Sequence, residues 1–272
     1  MGLPPQQAGT PKVRFEEVSK RFGDGPDAVQ ALEPITLDIV EGAFTCLLGP
    51  SGCGKSTLLK MVAGLLEPTD GRLHLWRKPV AQLDESGKKM AFVFQSPTLM
   101  PWASVQTNVR LPLDLAGVPR AEADARVTDA LALVGLSKFA NALPRALSGG
   151  MQMRVSIARG LVTQPDLLLM DEPFGALDEI TRHKLDADLL DLWRKKKLTV
   201  IFVTHSIHEA VFLSSRVVMM AARPGRVVEE FRIDAPYPRT ADFMVSPEFS
   251  RYAKLLQDSL LRASVDTEET VA

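Results

Sequence analysis

The sequence has little cysteine, almost no net charge and no long hydrophobic run, and each absence excludes a class of protein. Its two cysteines, Cys46 and Cys53, suggest neither a disulfide framework nor a zinc site, because no CxxC pair or histidine cluster accompanies them. The 32 basic and 33 acidic residues give a net charge of -1, so the basic surface of a nucleic-acid-binding domain is not expected. Apolar stretches such as residues 217–222 are far shorter than the roughly 20 residues of a membrane helix.

The length and composition predict one large globular domain with a subdomain. The chain has 272 residues, of which 46% are apolar and 24% charged, an ordinary globular mixture. Residues 1–11 are rich in Pro, Gln and Gly and predict a disordered lead-in rather than a signal peptide. The main domain is predicted over residues 12–233. A C-terminal extension follows at 234–272, with one helix near 247–263 and an acidic, disordered tail.

Hydrophobic spacing divides the main domain into three parts. Short β-branched runs broken by turns predict strands before residue 49 and again at 71–76, and an antiparallel β subdomain is expected among them. Helical spacing predominates in residues 97–164, which predicts a helical subdomain. From residue 167 onward strands and helices alternate, a pattern typical of a mainly parallel sheet. The predicted fold class is therefore α/β.

A glycine-rich segment between an apolar strand and a helix matches the pattern GxxxxGK[ST]. Its residues are Gly49, Pro50, Ser51, Gly52, Cys53, Gly54, Lys55, Ser56 and Thr57. Backbone N–H groups of such a loop turn inward, and the helix start adds partial positive charge, so the loop can bind phosphate. Lys55 would reach the β- and γ-phosphates of ATP, and the Ser56 hydroxyl would hold Mg²⁺. A glycine turn followed by a surface lysine is the alternative.

Two adjacent acids end an apolar strand at residues 167–170. Asp171 is predicted to lie on the Mg²⁺ side of the nucleotide, and Glu172 to act as the general base that polarises the attacking water. Ligands bind at the carboxyl ends of strands in open α/β sheets, which favours this interpretation. A solvated acidic turn after a core strand is the plainer alternative.

A second potential phosphate-binding segment opens a later helix. It consists of Ser148, Gly149 and Gly150, and N–H groups at a helix start attract anions. Because the chain has a single phosphate loop, a second segment of this kind suggests a head-to-tail homodimer around two ATP molecules. A capped glycine turn before a core helix is the alternative.

These motifs together resemble those of the ATP-binding subunits of the ABC superfamily, over about residues 13–233. The resemblance implies a P-loop NTPase core that uses ATP and Mg²⁺, with Ser148, Gly149 and Gly150 contacting the γ-phosphate held by the partner subunit. Met151 stands in the fifth place of this LSGGQ-type signature.

The resemblance also assigns roles to four residues outside those motifs. Gln95 matches the glutamine that contacts Mg²⁺ or the attacking water, and Asp178 lies in the segment that crosses the dimer interface, with Ala176 and Leu177. His205 matches the switch histidine near the γ-phosphate. Phe22 takes the place of the aromatic that stacks on adenine. Taken singly, Gln95 and His205 also fit polar strand-end residues, and Phe22 fits a hydrophobic turn residue.

Three further features have simple interpretations. Cys53 lies in the phosphate loop, where backbone donors and the helix dipole are expected to favour its thiolate, so alkylation should abolish ATPase activity and ATP should protect. The basic run at residues 194–197 closes a predicted helix and complements its dipole. Asp186, Asp188 and Asp191 are expected on a solvated helix face.

The resemblance implies the ATP-hydrolysing subunit of an importer at the cytoplasmic face of the inner membrane. Its partners would be transmembrane permease subunits and, indirectly, a solute-binding protein. Residues 99–105 and 223–226 are similar to the nitrate, sulfonate and taurine importer branch. One alternative is a non-transport ABC ATPase of DNA repair or translation, although these usually carry coiled-coil insertions or tandem domains. Another is a P-loop small-molecule kinase, which would not need residues 148–150.

Overall fold

The computed structural model describes residues 11–175 and 177–269, which form ten strands and eight α-helices. The strands are β1 (Pro11–Phe22), β2 (Val29–Val40), β3 (Phe44–Leu48), β4 (Asp70–Leu75), β5 (Lys78–Pro79), β6 (Met90–Val93), β7 (Leu167–Asp171), β8 (Thr199–Thr204), β9 (Arg216–Ala221) and β10 (Arg226–Arg232). The helices are α1 (Lys55–Val62), α2 (Val105–Leu115), α3 (Arg120–Leu133), α4 (Gly149–Leu161), α5 (Glu179–Lys196), α6 (Ile207–Leu213), α7 (Ala241–Met244) and α8 (Pro247–Glu269).

The described residues divide into two compact units, one made of the chain up to Lys88 and from Leu198 onward, the other of Lys89–Lys197. In the first unit, β2, β1, β4 and β5 form an antiparallel sheet in that order. The same unit contains β3, which pairs in parallel with β8 on one side and β9 on the other, and β10 runs antiparallel to β9.

Burial explains why these strands differ in sequence. Every residue of β3 and β8 is buried, and strands covered on both faces read as continuous apolar runs. Near the start of β1, by contrast, buried and exposed residues alternate, with Val13 and Phe15 buried and Arg14 exposed, as expected of a strand with one solvated face. The parallel strands thus form the interior of the first unit.

The second unit combines a pair of parallel strands, β6 and β7, with the helices α2, α3, α4 and α5. Ser104 caps α2, its hydroxyl accepting from the N–H of Thr107 at 3.3 Å. The buried amide of Asn108 donates to the carbonyls of Met100 and Ala103, at 3.1 Å each. These bonds fix the loop that precedes α2, because they satisfy its backbone groups with a side chain of the helix itself.

The predicted antiparallel and helical subdomains and the parallel strands are present. Three features differ from prediction: Pro11 already belongs to β1, α8 runs on to Glu269, and β10 is an unpredicted strand. The expectations for residues 1–10, for Ala176 and for residues 270–272 lie outside the described residues. Among the helices that the structure describes, none is long and apolar enough to cross a membrane.

Helix α5 confirms one expectation about charge and contradicts another. Its last turn contains Arg194, Lys195 and Lys196, which complement the helix dipole as predicted. The expectation that Asp186 lies on a solvated face is wrong, because its side chain is 2% exposed. Its position explains this, since Leu189 and Leu190, three and four residues on, belong to the same buried stripe.

Candidate functional site

The phosphate loop joins β3 to α1 and is shaped by glycine backbone. Gly52 and Gly54 have φ of 79° and 88°, a left-handed conformation that glycine adopts without steric cost. Gly54 is the N-cap of α1 and provides no side-chain hydrogen bond. The first N–H groups of the helix therefore have no side-chain cap from this position, the arrangement found where a helix start binds an anion.

Two glycines let neighbouring backbone pack directly against this loop. A Cβ on Gly49 would lie 2.4 Å from the carbonyl oxygen of Met220 in β9. A Cβ on Gly225 would lie 2.4 Å from the carbonyl oxygen of Cys53, and the N–H of Gly225 donates to Ala31 at 2.9 Å. Motif spacing does not identify Gly225. The available signal is a glycine after Pro224 at the start of a strand, where close backbone approach is common.

Lys55 is buried against the loop that it follows. Its ammonium donates to the carbonyl oxygens of Gly49 and Pro50, at 2.8 Å each, and lies 3.5 Å from the sulfur of Cys53. The positive charge is thus held inside the loop, where it complements an anion.

Cys53 does not favour its thiolate, and that expectation is wrong. Its side chain is fully buried, and burial raises the pKa of the thiol, although the ammonium of Lys55 opposes the shift. Burial has the larger effect on the pKa, because the sulfur faces the protein interior rather than the side of the loop where Ser51 and Gly52 are exposed. Cys53 is therefore a protonated packing residue.

His205 leaves the parallel sheet at the same edge as the phosphate loop. Leu48 at the end of β3 pairs with Thr204 at the end of β8, so Gly49 and His205 each follow a paired residue. The side chain of His205 is exposed, and α6 starts two residues later.

Phe22 ends β1 with its ring 45% exposed. The ammonium of Lys20 lies 5.3 Å from the ring centroid, so a cation already contacts the ring. The exposed area is compatible with stacking on a planar base, and that role stays a prediction.

Gln95, Asp171 and Glu172 lie at one edge of the strand pair in the second unit. Val93 at the end of β6 pairs with Met170 in β7, and the three polar residues lie one or two positions beyond this pair. Gln95 is exposed, whereas Asp171 and Glu172 are half-buried. Glu172 has φ of 43° in the left-handed region, which a residue with a Cβ adopts at a cost of about 1–2 kcal/mol.

Side chains and backbone also fix the loop that follows Gln95. Arg159 of α4 donates to the carbonyl oxygens of Pro97 and Thr98, at 2.9 Å each. Burial lowers the pKa of this guanidinium, yet an arginine stays charged at neutral pH because the guanidinium is a very strong base. The charged hydrogen bonds hold the loop in one conformation.

The structure brings Ser148, Gly149 and Gly150 together with the segment around Asp178. Ser148 caps α4, its hydroxyl accepting from the N–H of Met151 at 3.3 Å. Asp178 caps α5 in the same way, accepting from Thr181 at 2.9 Å, and this bond lowers the pKa of the Asp178 carboxyl. A Cβ on Gly150 would lie 2.6 Å from the methyl group of Thr181. The two helix starts are thus in contact.

Ser56 and Asp171 each carry a side-chain oxygen of the kind that binds magnesium together with a nucleotide. The residues that the structure describes contain no group of three His, Cys, Asp or Glu able to hold a metal. Mg²⁺ is usually held by one or two protein oxygens plus phosphates and water. Ser56 and Asp171, both half-buried at the ends of their elements, supply oxygens of this kind.

A phosphate loop between a strand and a helix, with an acidic strand end elsewhere in the α/β fold, defines a P-loop nucleotide-binding protein. A family model described as ABC transporter matches residues 32–175. The chain belongs to the ABC transporter family, and it is an ABC ATPase that binds ATP.

Named relatives match almost the whole chain. The taurine import ATP-binding protein TauB of Rhizobium johnstonii is 49% identical over 82% of this chain and 86% of its own length. The aliphatic sulfonates import ATP-binding protein SsuB of Bacillus cereus is 40% identical over 91% of this chain and 99% of its own.

Solved structures of ABC cassettes share the fold. One is cbiO1 from Clostridium perfringens, part of the ABC transporter complex cbiONQ, with a TM-score of 0.75, 29% identity and coverage of 90% of this chain and 95% of that one. Another is a dimeric ATP-binding cassette in a post-hydrolysis state bound to ADP and Pi, with a TM-score of 0.72 and 34% identity. It covers 82% of this chain and all of its own.

Proposed function

We propose that the chain is the ATP-hydrolysing subunit of an importer and that it works as a homodimer around two MgATP. The observation that carries the proposal is the contrast between the two glycine-bearing helix starts. Gly54 leaves the start of α1 without a side-chain cap, and Ser148 and Gly149 at the start of α4 are exposed. One nucleotide would contact the first of these in one copy and the second in the other copy.

The phosphate loop would bind the triphosphate through N–H groups of residues 49–57, with Lys55 beside the β- and γ-phosphates. His205 would contact the γ-phosphate from the same sheet edge. Phe22 would stack its exposed ring on adenine.

Ser56, Asp171 and Gln95 would hold magnesium, which neutralises charge on the phosphate oxygens when bound. Glu172 would orient the attacking water and accept its proton, because a carboxylate at a strand end can act as a general base. The left-handed backbone of Glu172 supports a functional role, since strain of this kind gathers at active sites.

Ser148, Gly149 and Gly150 would complete the site of the partner copy, and Asp178 would cross the interface beside them. Their contact with each other through Thr181 supports a joint role. A small-molecule kinase has no use for this surface.

The Glu172→Gln variant tests the dimer. Removing the base while keeping the side-chain shape should stop hydrolysis and trap a dimer that forms only with MgATP, measured by light scattering after size exclusion. Glu179→Gln is the matched control, because Glu179 is an exposed acid in the first turn of α5. It should behave as the wild type. A Glu172→Gln chain that remains monomeric at saturating MgATP contradicts the proposal.

The names of the relatives support import of taurine or another sulfonate, and the resemblance of residues 99–105 and 223–226 to the importer branch adds nitrate as a further candidate solute. Transport would run through permease subunits fed by a solute-binding protein. The chain would then act at the cytoplasmic face of the inner membrane. Deleting its gene should abolish growth on taurine or alkanesulfonates as the sulfur source and leave growth on sulfate intact. If the deletion instead abolishes growth on nitrate, nitrate is the transported solute. Restoration by the wild type but not by Glu172→Gln is expected, and an unaffected deletion strain contradicts the transport assignment.

A further inference from the structure

The short helix α6 starts two residues after His205, and most of it is buried. Its residues from Glu209 to Leu213 are all inaccessible to solvent. A helix of seven residues has too few internal hydrogen bonds to hold its own position. The contacts at its two ends therefore determine where the His205 loop lies.

Side chains of the loop itself fix the amino end of α6. The hydroxyl of Ser206 accepts from the N–H of Glu209 at 3.3 Å. The hydroxyl of Thr204 accepts from the N–H of Ser206 at 2.9 Å and donates to the buried carboxylate of Glu209. His205 lies between Thr204 and Ser206, so both of its chain neighbours are tied to the first turn of the helix.

The C-terminal extension fixes the carboxyl end of α6. Helices leave their last four carbonyl oxygens without internal partners. Here Ala210 accepts from Ser214, Val211 and Phe212 accept from Nη1 of Arg239 at 2.8 and 3.0 Å, and Leu213 accepts from the hydroxyl of Tyr237 at 3.3 Å. Two residues of the extension thus satisfy three of the four carbonyls.

Arg239 is buried, and further contacts hold its guanidinium in place. The residue is 4% exposed, and its guanidinium carbon lies 4.2 Å from the ring centroid of Tyr237. Nη1 also donates to Ser214 at 2.8 Å, and Nη2 donates to Ile233 and Ala235 at 3.1 Å each. Five carbonyls, three from the end of α6 and the residue after it and two from the segment after β10, therefore converge on one cation. This cation also complements the carboxyl end of the helix dipole.

Two neighbours support the same contact. Burial raises the pKa of Tyr237 to about 12, so its hydroxyl stays protonated and donates to Leu213 at neutral pH. Phe249 of α8 packs edge-on against His208 of α6, with ring centroids 5.3 Å apart. The extension thus covers α6 along its side as well as at its end.

We propose that the C-terminal extension positions the switch histidine, and that Arg239 is the positioning residue that holds α6 and through it His205. The inference rests on the proposed role of His205 at the γ-phosphate. It gives the extension a part in the hydrolysis step that the nucleotide-binding motifs do not contain.

The test replaces Arg239 in the full chain by Met, which removes every donor, and by Lys, which keeps the charge but not the planar fork. Misplacing a group that contacts the γ-phosphate by about 1 Å can lower turnover by about a hundredfold. We expect kcat to fall about 10- to 100-fold in Arg239→Met and less in Arg239→Lys. The Kd for ADP, which lacks the γ-phosphate, should remain within about twofold of the wild type by the same argument.

A second comparison separates positioning from general stabilisation. In single-turnover hydrolysis, Arg239→Met should lower the rate of a His205→Ala chain less than about twofold, because residues that act as a unit are not additive. Arg232→Met is the matched control. Arg232 belongs to the adjoining strand β10 and forms an ion pair with Asp234 at 3.4 Å. Its loss should leave kcat unchanged.

Equal kcat in Arg239→Met, Arg239→Lys and wild type overturns the inference, as does the same rate loss with and without His205. If Arg239→Met does not fold, Arg239→Lys carries the same comparisons. A wild-type chain that turns over no ATP instead contradicts the proposed function, so the two failures are distinguishable.

Discussion

The starts of α1 and α4 both carry glycines, yet they are held in different ways. The loop before α1 packs directly against the backbone of β9, since there is no space for a Cβ between Gly49 and the carbonyl of Met220. The start of α4 is held by a side-chain cap from Ser148 and by the methyl group of Thr181. Backbone packing fixes a loop in one conformation, whereas a cap on an exposed surface leaves room for adjustment. The difference fits a binding loop formed in advance and a surface that meets a partner.

The largest expected effect comes from a methyl group added at the start of α1, and the same change at the start of α4 is the comparison. Gly49→Ala should lower the free energy of unfolding by about 3 kcal/mol, because the new Cβ meets backbone that has to move. Gly150→Ala should cost about 1 kcal/mol or less, because the Thr181 side chain can yield and alanine favours a helix. Urea denaturation without nucleotide measures both. Equal losses would remove the distinction drawn between the two starts.

A smaller effect is expected at the caps. Ser148→Ala should lower the free energy of unfolding by about 1 kcal/mol through loss of the bond to the N–H of Met151. Ser104→Ala removes the equivalent cap of α2 and should cost a similar amount. The two variants should differ in a second measurement, the MgATP-dependent dimerisation of the Glu172→Gln chain. Only Ser148→Ala should weaken it, and equal dimerisation would leave Ser148 with a structural role alone.

The smallest effect is expected from thiol reagents at neutral pH. The raised pKa and complete burial of Cys53 keep it protonated and covered, so alkylation at pH 7 should be slow in the folded chain. Labelling followed by mass spectrometry should accelerate in urea and with rising pH.

The sign of the stability change follows from the same shift. Because the folded chain holds the Cys53 thiol proton more tightly than the unfolded chain, the protonated thiol contributes to the free energy of unfolding. This contribution is fully present below the unfolded thiol pKa of about 8.5, and it declines as pH rises through the higher folded pKa. Fast, complete labelling of Cys53 at pH 7 would contradict this account and favour a reactive thiolate.

The parts of the fold that sequence predicts well are those determined by neighbours along the chain. Helix α5 ends where the basic run predicts, since Arg194, Lys195 and Lys196 form its last turn. The apolar runs of β3 and β8 likewise identify buried parallel strands, because a strand covered on both faces has apolar residues at successive positions.

Other features depend on contacts between distant residues, and local patterns do not contain them. Arg239 is buried because carbonyls as far away as Val211, 28 residues earlier, surround it. Cys53 is protonated because its side chain turns inward, whereas its position in the motif suggests an activated thiol. Asp186 looks solvated by residue type but belongs to a buried stripe. Each depends on tertiary packing. The sequence motifs therefore indicate the candidate site residues but not the buried contacts around them.

The left-handed backbone at Glu172 has a consequence for how the chain can change. A glycine or asparagine would adopt φ of 43° with less strain, so the fold would gain heat resistance by discarding the acid. Laboratory selection for thermal endurance alone should therefore replace this residue early, whereas selection that also demands nucleotide turnover should retain it. Thermal stability and the proposed catalytic role of Glu172 therefore favour different residues at this one position.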